Sequence, residues 1–346
     1  MYRRSNSLSP VAPAKRSSKQ QPRKRRSRAS GPGAKLLAKR MIFVTGKGGV
    51  GKTTAAAALG LAAARAGMRT LVCELDARER IGQLFGGTTG TFEEVEVAPD
   101  LHAITIDSQK SMEEYLLLQI KVRPVYDLLF KNRIFEYFAA ATPGLTELLT
   151  IGKVWELSQP DRLTKGAGAY DMVVVDGPAT GHGLAMLEAP DTFQRIARVG
   201  PIHRQAGRIA GFLHDPAQMA VVAVATAEEM PVNETGLLQD QLEERVGLKL
   251  DMVIVNMLEP EFFTAAEAKQ LSGITDSPPI EAAMAQFERF EMQQEQLARL
   301  RKLVKAEFTE LPFLYEKSIG RAEVEDLAEA LMTQLGVEPA AEENGG

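Results

Sequence analysis

The segment Met41-Ile42-Phe43-Val44-Thr45-Gly46-Lys47-Gly48-Gly49-Val50-Gly51-Lys52-Thr53-Thr54 joins an apolar run to an alanine-rich one. Residues 41–45 have the character of a buried strand and residues 55–66 that of a helix, so the glycines between them mark a strand-to-helix turn. Gly46, Gly51, Lys52 and Thr53 fit the pattern G-x-x-x-x-G-K-[ST], a phosphate-binding loop. Glycines allow successive backbone N–H groups to turn inward around an anion, and the helix that follows adds the positive end of its dipole. Gly46, Lys47, Gly48, Gly49, Val50, Gly51, Lys52, Thr53 and Thr54 are therefore the expected nucleotide contacts. Lys52 reaches for the β- and γ-phosphates in this reading, and the Thr53 hydroxyl ligates Mg²⁺.

Further along the chain, β-branched apolar runs recur at residues 70–75, 101–106, 170–176, 219–226 and 250–256 and near 311–314, with helical spacing between most of them. That alternation predicts an α/β fold, a doubly wound and mainly parallel sheet whose ligands bind beyond the carboxyl ends of the strands. Residues just after each run are thus the candidates for chemistry. After the run ending at Leu75 stands Asp76, placed to orient the water that attacks a γ-phosphate. After residues 170–175 stands Asp176, the carboxylate expected to hold the Mg²⁺ shell through an intervening water. After residues 250–255 stands Asn256, whose amide carries the donor and acceptor needed to pair with a purine edge. Between residues 107 and 168 the spacing is helical throughout, which predicts a helical insertion subdomain in the α/β body.

The second lysine of the loop, Lys47, narrows the reading. The form G-K-G-G-x-G-K-T resembles the deviant Walker A loop of the MinD/ParA/arsenite-pump group of P-loop ATPases. The sequence Asp176-Gly177-Pro178-Ala179-Thr180-Gly181-His182 is similar to the second switch of the arsenite-pump and tail-anchored-protein-targeting ATPases, and Asp76 with the later Phe85-Gly86 matches parts of their first switch. The Pro-Ala-His of that first switch is replaced here by Ala77-Arg78-Glu79. Thr-Pro-Gly-Leu at 142–145, Gly-Lys at 152–153 and Gly-Pro-Ile-His at 200–203 are similar to actinobacterial-type, single-domain members. The resemblance implies Mg²⁺-dependent ATP hydrolysis with Asp76, Lys47 and Lys52 as catalytic residues. It also implies a homodimer in which Lys47 crosses to the partner's nucleotide, base recognition by Asn256, and a client protein or anion-transport process coupled through the helical insertion.

Composition limits the alternatives. Cys73 is the only cysteine, which excludes an intrachain disulfide, a two-cysteine zinc clasp and a dimer-bridging iron–sulfur cluster, and fits a cytoplasmic protein. No apolar stretch reaches the ~20 residues of a membrane-spanning helix. Thirteen of the 41 Lys and Arg residues lie in the first 40 positions, before the first acidic residue, Glu74. Residues 1–38 are therefore expected to be a disordered basic arm with affinity for a polyanion, either nucleic acid or an anionic membrane. An ATPase domain over 39–336 and a disordered acidic tail over 337–346 complete the expected organisation. The competing class is a ParA/MinD-like positioning ATPase whose arm binds DNA.

Overall fold

Strand β1 (Met41–Gly46) is buried at every position, because it lies in the middle of a parallel sheet with helices on both faces. The computed structural model describes residues 32–75, 79–88, 92–119, 142–162, 168–274 and 277–340. The remaining strands are β2 (Thr70–Glu74), β3 (Val95–Ala98), β4 (Leu101–Thr105), β5 (Met172–Ala179), β6 (Met219–Thr226), β7 (Met252–Leu258) and β8 (Glu307–Pro312). They form one sheet in the order β3-β4-β2-β5-β1-β6-β7-β8, parallel except for the β3–β4 hairpin. The edge strand β3 was not anticipated: its residues Val95-Glu96-Val97-Ala98 are short, half-exposed and interrupted by an acid, so they lack the apolar run that marks the central strands.

Side chains alternate between two cores. Met41 and Phe43 join Val173, Val175, Leu184 and Ile151 on one face, whereas Ile42 and Val44 join Val174, Val222 and the alanines of helix α2 (Lys52–Arg65) on the other. Residues 55–64 of α2 are all buried, and their small size lets the helix lie close to the sheet. At Gly60 a Cβ would stand 2.5 Å from Val72 Cγ2, so even alanine would force α2 outward.

Packed structure extends on both sides of the bounds 39–336 expected from composition. Residues Pro32–Leu37 form helix α1, with Leu36 and Leu37 buried in the α2-side core and Gly33 against Leu335. The two leucines supply apolar area that the neighbouring arginine-rich stretch lacks, so residues 32–37, expected to lie in the arm, pack on the body. At the other end Val337 is buried, and the Ala340 amide donates to Arg65 O at 2.8 Å. Most of the basic arm (1–31) and the last six residues of the tail lie outside the described residues.

The remaining helices, in chain order, are α3 (Arg80–Leu84), α4 (Ser108–Gln119), α5 (Leu145–Leu157), α6 (Thr180–Ala197), α7 (Pro201–Leu213), α8 (Glu229–Gln241), α9 (Ala265–Leu271), α10 (Pro278–Leu303) and α11 (Arg321–Leu335). Helix α5 packs against α4, α6 and α7, and its Ile151, Val154 and Leu157 are completely buried. Residues 120–141 of the expected helical insertion, which include Tyr126, Phe130, Phe135, Tyr137 and Phe138, lie outside the described residues. Beneath α5 runs a buried ionic network. Lys153 Nζ contacts Glu114 at 2.7 Å and Glu156 at 3.1 Å, and Arg162 contacts Glu156 at 3.1 Å and Glu94 at 2.7 Å. Tyr170 Oη donates to Glu94 at 2.6 Å while the Arg69 guanidinium stacks over its ring.

Candidate nucleotide site

Four interior strands, β1, β2, β5 and β7, deliver the candidate site to the carboxyl end of the sheet. Leaving β1, Gly46 adopts φ 141° against the carbonyl of Val224, a combination closed to residues with a side chain. The loop then turns through Gly49 and Gly51, both at positive φ, into the first turn of α2. A Cβ on Gly51 would overlap the Asn256 amide behind the loop, whereas one on Gly48 or Gly49 would meet nothing within 4 Å. The loop is thus braced on its sheet side and open on the other, toward a cavity of about 830 Å³.

The candidate metal ligands meet at this cavity. Thr53 Oγ1 donates to Asp176 Oδ2 at 2.6 Å, and Asp176 is only 7% exposed. β5 is in register with both β1 and β2, which sets Asp176 beside Val44 on one side and Glu74 on the other. Lys52 Nζ reaches back over the loop to donate to Lys47 O at 3.0 Å. Lys47 turns away from the cavity and pairs with Glu234 of α8 at 3.5 Å. The end of β5 brings Pro178 and Ala179 to the cavity wall and the first turn of α6 brings His182, whose Nδ1 lies 3.8 Å from Glu147.

Asn256, 4% exposed, donates from Nδ2 to Val50 O at 2.9 Å, so its amide ties the end of β7 to the phosphate loop. The loops after β7 and β8, where the base-contacting side is expected, are tied in turn by the buried Glu259. It accepts from Arg289 at 3.0 Å and from the Tyr315 hydroxyl, and these bonds outweigh burial to hold its carboxyl below the usual range. Substituting Asn256 by Ala removes the brace behind Val50 and should weaken ATP binding about tenfold, read by titration with a fluorescent nucleotide.

Asp76, with Ala77 and Arg78 of the altered first switch, lies outside the described residues. Two residues earlier stands a further carboxylate, Glu74, which is not among the candidates that the sequence points to. Glu74, 1% exposed, lines the cavity and accepts from the amides of Arg80 at 3.1 Å and Ile81 at 3.4 Å. Burial raises its pKa, and the neighbouring charge of Asp176 adds to the rise against the pull of the two amides. The signal was present in the sequence as the single acid inside the apolar run 70–75, at a strand end that faces the ligand. Cys73, completely buried, has its thiol pushed up by burial and is inert as a nucleophile.

Among the described residues no cluster of three or more His, Cys, Asp or Glu side chains could hold a metal, and no helix is long and apolar enough to cross a membrane. A sequence model of the family described as anion-transporting ATPase matches residues 39–208 and 197–333. The chain is 31% identical over 258 residues to ATPase BagA of Mycobacterium tuberculosis, which covers 72% of this chain and 75% of that protein. It is 28% identical over 238 residues to an arsenical pump-driving ATPase of Escherichia coli, covering 63% of this chain and 39% of that one. An arsenical pump-driving ATPase of Acidiphilium multivorum is 29% identical over 239 residues, covering 64% and 40% respectively.

Proposed function

This chain belongs to the anion-transporting ATPase family and hydrolyses ATP, and from that premise we propose that it works as a Mg²⁺-dependent, nucleotide-driven homodimeric switch. The observation that carries the reading is the 2.6 Å contact between Thr53 and Asp176 at the mouth of the glycine loop. A hydroxyl and a buried carboxylate side by side, with room beyond them for phosphates, suit a hard cation that keeps part of its water shell. Thr53 and Asp176 would hold it there, and the bound ion supplies neutralisation of the charge on the β- and γ-phosphates. The loop amides and Lys52 bind the phosphates. Asp76 orients the attacking water, and Asn256 reads the base from the brace it makes with Val50.

Lys47 acts in trans. Its pairing with Glu234, both side chains partly exposed, is worth about 0.2–1 kcal/mol, so the phosphates of a second subunit can displace it. Light scattering in the presence of a non-hydrolysable ATP analogue should therefore give twice the monomer mass for the parent and the monomer mass for Lys47→Ala. A parent that stays monomeric under saturating analogue would defeat the trans role.

The client of the switch docks on the helical region that includes α4 and α5, which packs directly on α6, whose first turn lines the cavity. Residues 1–31 serve as a basic arm on an ATPase body, and its run of cations without an acid favours a second reading, a ParA/MinD-like positioning ATPase that holds a polyanion. Salt-sensitive DNA binding lost on deletion of the arm supports that reading; binding unchanged by the deletion removes it.

A further inference from the structure

We propose that Arg80 is a catalytic residue, a cation from the first-switch segment that contacts the γ-phosphoryl group in the transition state, and that Glu74 is the positioning residue that holds it there. The inference rests on the cavity being the nucleotide site.

Helix α3 starts without help from its own N-cap, since Glu79 makes no side-chain cap bond and sits at φ 50°. The capping role is taken by Glu74 of β2, whose two carboxylate oxygens accept the first two amides of the helix, those of Arg80 and Ile81. Ile81, 1% exposed, anchors the same turn in the α2-side core. The backbone of Arg80 is therefore fixed from two sides, while its side chain is exposed at the cavity wall. Keeping a carboxylate buried beside Asp176 is unfavourable in itself, and the bonds it makes point to what it is for.

Charge balance gives the guanidinium a task. The described wall of the cavity carries the carboxylates of Glu74 and Asp176, and its cationic or protonatable groups are Lys52, Arg80 and His182. A triphosphate brings more negative charge to this wall. In hydrolysis the water oxygen bonds to the γ-phosphorus as the bridge to the β-phosphate breaks. The electron pair of that bridge leaves with ADP, and the water proton passes to the phosphate product. Negative charge grows on the bridging oxygen while the equatorial oxygens share the charge of the γ-phosphoryl group, and a planar fork of donors matches them. Lys52 is held at the loop by Lys47 O and His182 stands beside Glu147, which leaves Arg80 as the cation of the described wall to meet these oxygens.

The test is made on the full chain, with kcat read from ATP turnover and binding read from a fluorescent ATP analogue. Arg80→Ala should lower kcat about 10²-fold with the nucleotide Kd changed by less than about threefold, and millimolar guanidinium should restore part of the loss. Glu74→Gln should lower kcat in the same sense but add nothing to Arg80→Ala, because both act through one group. A kcat for Arg80→Ala within about threefold of the parent overturns the proposal, and so does a loss confined to Kd. Additive losses in the double variant overturn the positioning role of Glu74. Lys52→Ala is run alongside. Retention of parental nucleotide affinity by that variant would show that the cavity is not the nucleotide site and would overturn both readings, whereas its loss leaves the Arg80 result to decide alone.

Discussion

Asp176→Asn is expected to lower kcat for ATP hydrolysis about 10³-fold while leaving the protein folded, and to give a melting temperature equal to or above that of the parent. Asparagine keeps the shape of the side chain and an oxygen to receive the Thr53 hydroxyl, so the contact at 2.6 Å survives. What is lost is a charge held 7% exposed beside Glu74. In the absence of nucleotide that charge is a liability, because it helps to raise the pKa of Glu74 after burial has already done so. Removing it relieves the repulsion, and in the proposed role the neutral amide would no longer attract Mg²⁺. Stability and activity therefore move in opposite directions, as they do where a site is built for a ligand it must wait for. Turnover as a function of Mg²⁺ concentration and thermal unfolding of the unliganded protein check the two halves. Parental kcat in Asp176→Asn would remove this carboxylate from the mechanism.

The place of Asp176 at the cavity was legible in the sequence because two signals converge on it: an apolar, β-branched run of strand length, and a carboxylate where that run ends. The same logic located the glycine loop and Asn256. Glu74 escaped it because a single acid at the end of an apolar run reads equally well as the first exposed residue after a strand. Only the register of β2 against β5 shows that the position is enclosed. Strand β3 escaped because its pairing is with its own hairpin partner at the sheet edge, where the local sequence need not be apolar. Averaged with their arginine-rich neighbours, Leu36 and Leu37 read as part of the arm, yet two buried leucines against α11 suffice to hold one turn and a half of helix. The bracing role of the Asn256 amide was hidden for another reason. It depends on how closely β7 approaches the phosphate loop, and no local pattern encodes that distance.

Glu156→Ala should be the most destabilising single change outside the hydrophobic core, at about 3 kcal/mol, or a fall in melting temperature of roughly 5–10 °C. Glu156 is 4% exposed and joins Lys153 at 3.1 Å to Arg162 at 3.1 Å, so its removal leaves two enclosed cations short of a counter-charge. Each cation retains another carboxylate, Glu114 for Lys153 and Glu94 for Arg162, which keeps the cost at the lower end of the range for a broken buried pair. Burial alone would raise the pKa of Glu156, but the attraction of Lys153 and Arg162 outweighs it and the net shift is downward. Glu94 is shifted the same way, by Arg162 and the Tyr170 hydroxyl acting against burial. A depressed folded-state pKa means that the stabilisation is fully present above the unfolded value, about 4.3 for Glu, and is lost as the pH falls through the folded value. The parent should therefore lose stability steeply below about pH 4.3, and Glu156→Ala, which has already lost one of the depressed carboxylates of this network, should show a shallower acid slope. Urea unfolding at pH 7 and at a series of acid values measures both quantities. Because the network lies beneath α5 and away from the phosphate loop, kcat at 25 °C should stay near that of the parent. A loss of turnover without a loss of stability would mean that these charges serve the switch instead of the fold.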